Sequence, residues 1–434
     1  MTTSRRNFIK TGGLTVAATG LVPMVLNSCA GENKPATQTE PQIRENPTGL
    51  ERIVSDVPPV DESDYQYRLE RLREQLALNN MDAIFIEGGT NFRYFYNIQW
   101  GLSERVFGAI TDRNGKTCWV CPAFEKERAS EVVPAGDRMY TWEEHESPYK
   151  LMSTILADMG IRTGRIGMDP NLRSFINEGF RREIRAEMTD GSVVTENVRA
   201  IKTEKEIAYM DLANRVTKLA YQYGFSKVEE GMKTAQLSRH ISDAHAALGA
   251  PGSGGPQFGF ASAFPHGTRQ PRDLHDGDVI LVDGGCNIQG FRSDVTRSIV
   301  FGKISDRQRE VYDIVLRAQK AAHNAIRPGV TCGEIDRVAR KVVEDAGFGP
   351  GYKYFAHRLG HGIGMDGHEY PYLVSDSNVV LKPGMTFSNE PGIYIYGEFG
   401  IRIEDCFVVT EDGVHILGGL VVESIEQPFA GTWA

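Results

Sequence analysis

The sequence predicts an α+β protein, with a small N-terminal α/β domain ahead of a larger domain built from two related halves. Three observations predict it. Helical and strand-like stretches alternate from about residue 61 to 200, as in a small α/β unit. Beyond residue 201 the chain matches itself in four places, in the same order. Within the second copy lies His357-Arg-Leu-Gly-His361-Gly-Ile-Gly-Met-Asp-Gly-His368-Glu369, with glycines at 360, 362, 364 and 367. Each glycine would cost a helix about 1 kcal/mol relative to alanine, so this stretch is extended or looped and carries clustered imidazoles.

The chain has 434 residues, long for a single core, and its 41% apolar and 24% charged composition is that of an ordinary globular protein. A net charge of −9 disfavours a nucleic-acid surface. No run of eighteen apolar residues is present, so no spanning helix is expected in the mature chain. Ser4-Arg-Arg-Asn-Phe-Ile-Lys10 resembles a twin-arginine export signal, and Leu26-Asn-Ser-Cys29 resembles a lipoprotein cleavage box with Cys29 as the lipidated residue. Residues 1–28 are therefore read as an export signal. Residues 29–55, rich in Pro, Thr, Glu, Gln and Asn, are read as a flexible tether. The expected location is periplasmic or membrane-anchored, with membrane contact only through an N-terminal lipid. The two folded parts are expected at 56–200 and 201–434.

Along the first of them, Leu69, Leu72 and Leu76 recur at helical spacing, and Met81–Ile86 reads as a buried strand. Asn114-Gly115 between Val106–Ile110 and Thr117–Val120 signals a hairpin. Residues 149–159 and 172–184 read as helices, with a strand at 165–168 between them. Cys118 and Cys121 have redox or zinc spacing. On a strand, however, residues three apart point to opposite faces, so they read as buried packing. This domain holds no dense set of His and carboxylates and reads as a cover or assembly domain. Thr203-Glu-Lys-Glu206 is a capping box that opens a long helix and marks the boundary.

The internal matches carry the chemistry. Residues 228–249 align without a gap to 326–347, and His266-Gly267 aligns to His361-Gly362. Gly277–Gly285 aligns to Gly384–Gly392, and Gly290–Asp294 to Gly400–Glu404. Asp283 is thus the counterpart of Glu390, and Asp294 of Glu404. If the halves face each other, four carboxylates converge, and they would repel strongly unless cations sit among them. With His361 added, the set is one nitrogen and several hard oxygens and no cysteine. That set suits Mn, Co, Zn or Fe, and a pair of ions if carboxylates bridge.

The run Asp283, Asp294, His361, Glu390, Glu404 resembles the five-ligand signature of the metallopeptidase family with the pita-bread fold. The stretch from His357 to Glu369 resembles the proline-peptidase signature within that family. The resemblance covers about residues 200–425, and the N-terminal part more loosely resembles the creatinase/prolidase accessory domain. One departure is Gly367, which stands where the signature more often has a branched aliphatic residue. The resemblance implies metal-assisted peptide hydrolysis with two divalent ions, manganese first and cobalt, zinc or iron as alternatives. It implies that Glu390 is both ligand and proton shuttle, and that His266 and His368 hydrogen-bond the substrate and its oxyanion. His357 would line the pocket near a proline, and Arg402 would meet substrate or orient carboxylates. The expected substrates are short proline-containing peptides, and the expected assembly is a homodimer or larger.

The leading expectation is an aminopeptidase cutting the N-terminal Xaa-Pro bond, with an Xaa-Pro dipeptidase as the alternative. A metal-free binding module and a creatinase-like hydrolase both predict missing ligands, and none is missing. A methionine aminopeptidase would lack the large N-terminal domain and the His357 pattern.

Overall fold

The computed structural model describes residue 46 and residues 48–55, 57–270 and 272–431. The expected export segment, Cys29 and most of the expected tether lie outside the described residues. The tether was expected to reach residue 55, and here the structure differs. Leu50, Ile53 and Val54 pack against a hydrophobic core, and the amides of Ile53 and Val54 both donate to the Leu248 carbonyl at 3.1 Å. Three aliphatic side chains in five residues outweigh the polar composition of the segment around them.

The N-terminal domain runs α1 (Glu62–Leu78), β1 (Ala83–Glu87), α2 (Thr90–Tyr96), β2 (Gly108–Asp112), β3 (Thr117–Pro122), α3 (Lys126–Ser130), β4 (Arg138–Trp142), α4 (Pro148–Asp158), β5 (Arg165–Met168), α5 (Ser174–Glu183), β6 (Glu187–Asp190) and α6 (Ser192–Ala200). Its mixed sheet has the order β4-β3-β2-β1-β5-β6. The Asn114-Gly115 hairpin is present, with Gly115 at φ +89°, a conformation a β-carbon would strain. Leu72 and Leu76 of α1 and Val194 and Val198 of α6 cover one face of the sheet. Ile155 of α4 and Phe180 of α5 cover the other. Cys121 points into the first layer and Cys118 into the second, both buried and free, as strand alternation requires.

The second domain begins with α7 (Glu204–Phe225). Its Thr203/Glu206 capping box is closed in both directions, Glu206 N–H to Thr203 Oγ1 at 3.2 Å and Thr203 N–H to Glu206 Oε2 at 3.0 Å. The first half continues with α8 (Thr234–Leu248), β7 (Gly252–Phe258), β8 (Val279–Ile288), β9 (Phe291–Arg292) and β10 (Val295–Val300). The second half is α9 (Asp306–Ala325), α10 (Cys332–Asp345), β11 (Gly360–Gly362), β12 (Glu369–Leu373), β13 (Thr386–Asn389), β14 (Gly392–Ile395), β15 (Phe399–Arg402), β16 (Asp405–Val409) and β17 (Val414–Ile416). The sheets are β10-β8-β7 and β12-β11-β13-β16-β17, with β9 on β8 and a β14-β15 ribbon.

The repeat is visible in the backbone. Gly231 and Gly329 introduce α8 and α10 at φ +76° and +91°, and Gly277 and Gly384 turn into β8 and β13 at +80° and +83°. Each half lays a helix pair on its own sheet. Tyr221 and Ile241 of α7 and α8 meet Ile280 and Val282, whereas Val315 and Ile335 of α9 and α10 share a core with Phe387 and Phe407. The two sheets meet at one backbone bridge, Thr296 to Glu404, where the Glu404 amide donates to the Thr296 carbonyl at 3.0 Å. Among the described residues, the groups of His, Asp and Glu that could hold a metal ion gather at that junction.

Candidate metal centre and active site

Strand geometry alone brings the repeated carboxylates together. Asp283 lies in β8 directly opposite Thr296 of β10, and Asp294 is the residue before β10. Glu390 follows β13, and Glu404 precedes β16, beside Thr296 across the bridge. His361 is the middle residue of β11, 2% exposed. Donor atoms of Asp283, Asp294 and Glu404 lie within 4.8 Å of one another, and so do those of His361, Glu390 and Glu404. Asp294, His361 and His368 form a third such group. The first two triads overlap at Glu404, an arrangement that suits two adjacent cations.

The electrostatics call for those cations. Burial pushes the Asp294 carboxyl well above its usual range, and Asp283 beside it pushes further. Glu404 is raised in the same way, by burial first and then by Asp294 and Glu390. Glu390 behaves differently. Burial would raise it, but its hydrogen bond with His361 and the charges of His357, His361 and Arg402 bring it down to about 2. Burial depresses His361, yet Glu390 and Asp294 outweigh it and hold the imidazole above its ordinary value. A hard oxygen-rich set in which two carboxylates resist ionisation until positive charge arrives fits divalent ions.

The carboxylates are aimed by other side chains. Arg402 Nη2 donates to Asp283 Oδ2 at 2.7 Å, and Thr296 Oγ1 donates to Glu404 Oε2 at 2.6 Å. His361 Nε2 stands 3.3 Å from Glu390 Oε1, and Ser388 Oγ donates to the same oxygen at 3.1 Å. Of the two roles expected for Arg402, meeting substrate or orienting carboxylates, its contacts fit the second. Its guanidinium is buried and already donates to Asp283, Thr296 Oγ1, Tyr394 Oη and the Pro265 carbonyl. Four of its five N–H groups are committed to the protein.

His266, His357, His361 and His368 line one cavity of about 350 Å³ together with Asp283, Asp294, Glu390, Arg402, Glu404 and Arg358. His368 is exposed, and its ring stacks on His361 with centroids 3.7 Å apart. His357 Nε2 meets Tyr394 Oη at 2.8 Å, and its ring stands edge-on to Phe355. His266 reaches the cavity from the loop that follows β7 and is exposed.

Sequence reasoning missed Tyr394, which links His357 to Arg402, and the layer behind Glu404. There Arg297 and Lys218, both fully buried, each bond Asp405 at 2.7 Å, and Arg297 also donates to the Glu404 carbonyl at 2.7 Å. Asp405 follows Glu404 directly in the sequence, and that adjacency was the available signal. Cys406, read as packing, also donates Sγ–H to the Asp294 carbonyl at 3.1 Å.

Residues 208–411 match the model of metallopeptidase family M24, and residues 68–201 match the creatinase/prolidase N-terminal domain. An Xaa-Pro dipeptidase of Lactobacillus delbrueckii subsp. lactis is 32% identical over 355 residues, which is 80% of this chain and 95% of that one. The chain belongs to metallopeptidase family M24. A dipeptidase from Pyrococcus horikoshii OT3 superimposes with a TM-score of 0.72 at 32% identity, covering 81% of this chain and 97% of that one. An X-Pro aminopeptidase from Thermotoga maritima MSB8 gives 0.68 at 26%, covering 80% and 96%. The catalytic domain is therefore a pita-bread fold behind a creatinase-type domain, in the Xaa-Pro peptidase group of this dinuclear-metal family.

Proposed function

We propose that this M24 metallopeptidase is an Xaa-Pro dipeptidase, with Asp283, Asp294, His361, Glu390 and Glu404 holding two divalent ions. The observation that carries the reading is one cavity in which both ligand triads face His357. The ring of His357 is fixed from behind by the buried Phe355 and Tyr394 rings, and it presents an aromatic face to the cavity that suits a pyrrolidine ring. The expectation of an aminopeptidase gives way to the dipeptidase alternative for two reasons. The bacterial relative at 32% identity is named a dipeptidase. The cavity is also at the small end of the ~300–1,000 Å³ common for ligand sites, and its mouth carries Arg358, an exposed cation stacked 4.4 Å over Tyr372. A dipeptide needs such a cation for its free carboxylate.

The ions, when bound, supply Lewis acidity and a more acidic water. The chain does the rest. Glu390 stays ionised despite burial, so it is the group that can take a proton from water and return it to the leaving proline nitrogen. His368 and His266 face the cavity with free ring positions and donate hydrogen bonds to the carbonyl oxygen as it gains charge. Arg402 and Thr296 keep Asp283 and Glu404 from rotating away. Manganese is the ion we expect first.

The test is turnover of Ala-Pro against Ala-Pro-Ala after reconstitution with Mn, Co or Zn. Cleavage of the dipeptide alone supports the reading. Cleavage of the tripeptide in preference would make it an aminopeptidase, and no cleavage of either with any ion would end the enzyme reading. Export is a separate proposal: Arg5→Lys with Arg6→Lys should retain the protein in the cytoplasm, and Cys29→Ser should release it from membranes. Unchanged fractionation in either case overturns the corresponding signal.

A further inference from the structure

The N-terminal domain carries none of the ligands, yet it reaches the catalytic loop. Residues 363–368, between β11 and β12, present His368 to the cavity, and glycines 364 and 367 leave their backbone little side-chain support. Gly367 has no atom nearer than 4.0 Å to where its β-carbon would sit. Behind His368 lies a second cavity of about 130 Å³, whose lining includes Asn91, Glu196, Arg199 and Glu369 as well as Pro170, Tyr370 and Tyr372, so empty space and not close packing backs the imidazole on that side.

Ile363 and Met365 are buried in a hydrophobic core and Arg292 bonds the Gly364 and Met365 carbonyls, but the end of the loop that carries His368 is held by charge. Glu369, 8% exposed, adjoins His368 and takes a hydrogen bond from Arg199 at the end of α6 and another from Lys202 Nζ at 2.6 Å. Arg199 Nη2 also donates to Asp366 Oδ2 at 2.8 Å, and Thr90 Oγ1 donates to Asp366 Oδ1 at 2.6 Å. Arg199 is itself fixed by Asn91 at 2.9 Å. The Glu369 carboxylate folds back over Gly364, where a β-carbon would come within 2.4 Å of it. The loop is thus tied at 366 and at 369, on both sides of His368, to one guanidinium from the other domain.

We propose that Arg199, supported by Lys202, is a positioning residue for His368: it holds Glu369 and Asp366 so that the imidazole between them stays stacked on His361. This rests on the reading that His368 acts in peptide hydrolysis. Arg199 touches no substrate. Its effect passes through the loop, so its loss lowers turnover and leaves the ligand array intact.

The test is a double-mutant cycle on Ala-Pro hydrolysis. Arg199→Met should lower kcat about tenfold or more, with KM changed by less than about threefold and bound metal per chain unchanged. Arg199→Lys should keep most of the activity. In a His368→Ala background the same Arg199→Met change should cost less than about twofold, because residues acting as a unit are not additive. A full tenfold loss in that background, or a loss of metal, would overturn the proposal and make the contact a purely structural one. If Arg199→Met fails to fold, Glu369→Gln, which keeps shape and removes charge, takes its place in the cycle. His368→Ala with unchanged kcat would instead remove the role of His368 itself, a separate failure.

Discussion

In the first half of the catalytic domain the two acids are aspartates on β8 and ahead of β10. In the second half they are glutamates after β13 and ahead of β16. The backbones repeat, but the side chains that hold the acids do not. Arg402 of the second half orients Asp283 of the first, and Thr296 of the first orients Glu404 of the second. Arg297 of the first half neutralises Asp405 of the second, and Cys406 of the second caps the Asp294 carbonyl. Glu390 is the exception, held within its own half by Ser388 and His361. Neither half alone could aim the other ligands, so the charged site exists only when both halves are folded and joined. The imidazoles diverge as well: His361 is buried in a strand, whereas its counterpart His266 is an exposed loop residue.

If Glu390 is distinct because it moves protons as well as binding metal, Glu390→Gln should cost on the order of 10⁴-fold in kcat/KM. Its repeat-mate Asp283, changed to Asn and still bonded to Arg402, should cost at least about tenfold less. Both are measured on Ala-Pro at saturating manganese. Equal losses would erase the distinction between the halves.

Asp405→Asn attacks the seam between the halves. Asp405 is kept ionised, below the usual carboxylate range: burial opposes this, but Arg297 and Lys218 prevail. Removing its charge leaves two buried cations without a counterion, a change worth about 3–5 kcal/mol. The carbonyls of Leu417, Gly419, Leu420 and Pro428 still accept from them, so the lower end is expected. A denaturant midpoint unchanged from wild type would show that these acceptors suffice.

The same asymmetry explains which features were legible from sequence. The repeat, the capping box at Thr203 and the four acids and one imidazole could be read because each depends on local spacing or on a residue type that has few structural uses. Tyr394, Arg199 and Lys218 could not. Each is a single residue whose partner lies at least eight positions away, His357 and Arg402 for Tyr394, residues 366 and 369 for Arg199, and Asp405 for Lys218. No periodicity announces such pairs. Arg402 stayed between two roles for a related reason, since strand parity gives its direction but not the number of acceptors that wait for it.

Helix α8 carries His245 where the repeat places Val343 in α10. His245 is fully buried between the Ile241 carbonyl and Thr217, and burial lowers its pKa to about 4. Between pH 6.5 and 4 the unfolded chain takes up a proton that the folded chain refuses, so stability falls as pH falls, by up to about 3 kcal/mol. His245→Gln should flatten that slope. Urea unfolding of the metal-free proteins at pH 7 and pH 4.5 measures it, and equal slopes in both would mean that the first half has no such titration.

The smallest effect bears most directly on the crossed hydrogen bonds. Thr296→Val keeps the shape of a buried strand residue and removes one hydroxyl, leaving Glu404 Oε2 and Arg402 Nε each short of a partner. Metal affinity, measured by competition with a chelating dye, should weaken roughly tenfold. Ser388→Ala removes the comparable hydroxyl on Glu390, but His361 still holds that carboxylate, so the loss should be smaller. If Ser388→Ala costs more than Thr296→Val, support from within a half outweighs support from across it. The two halves would then be independent ligand carriers that happen to touch, and not a pair in which each completes the other.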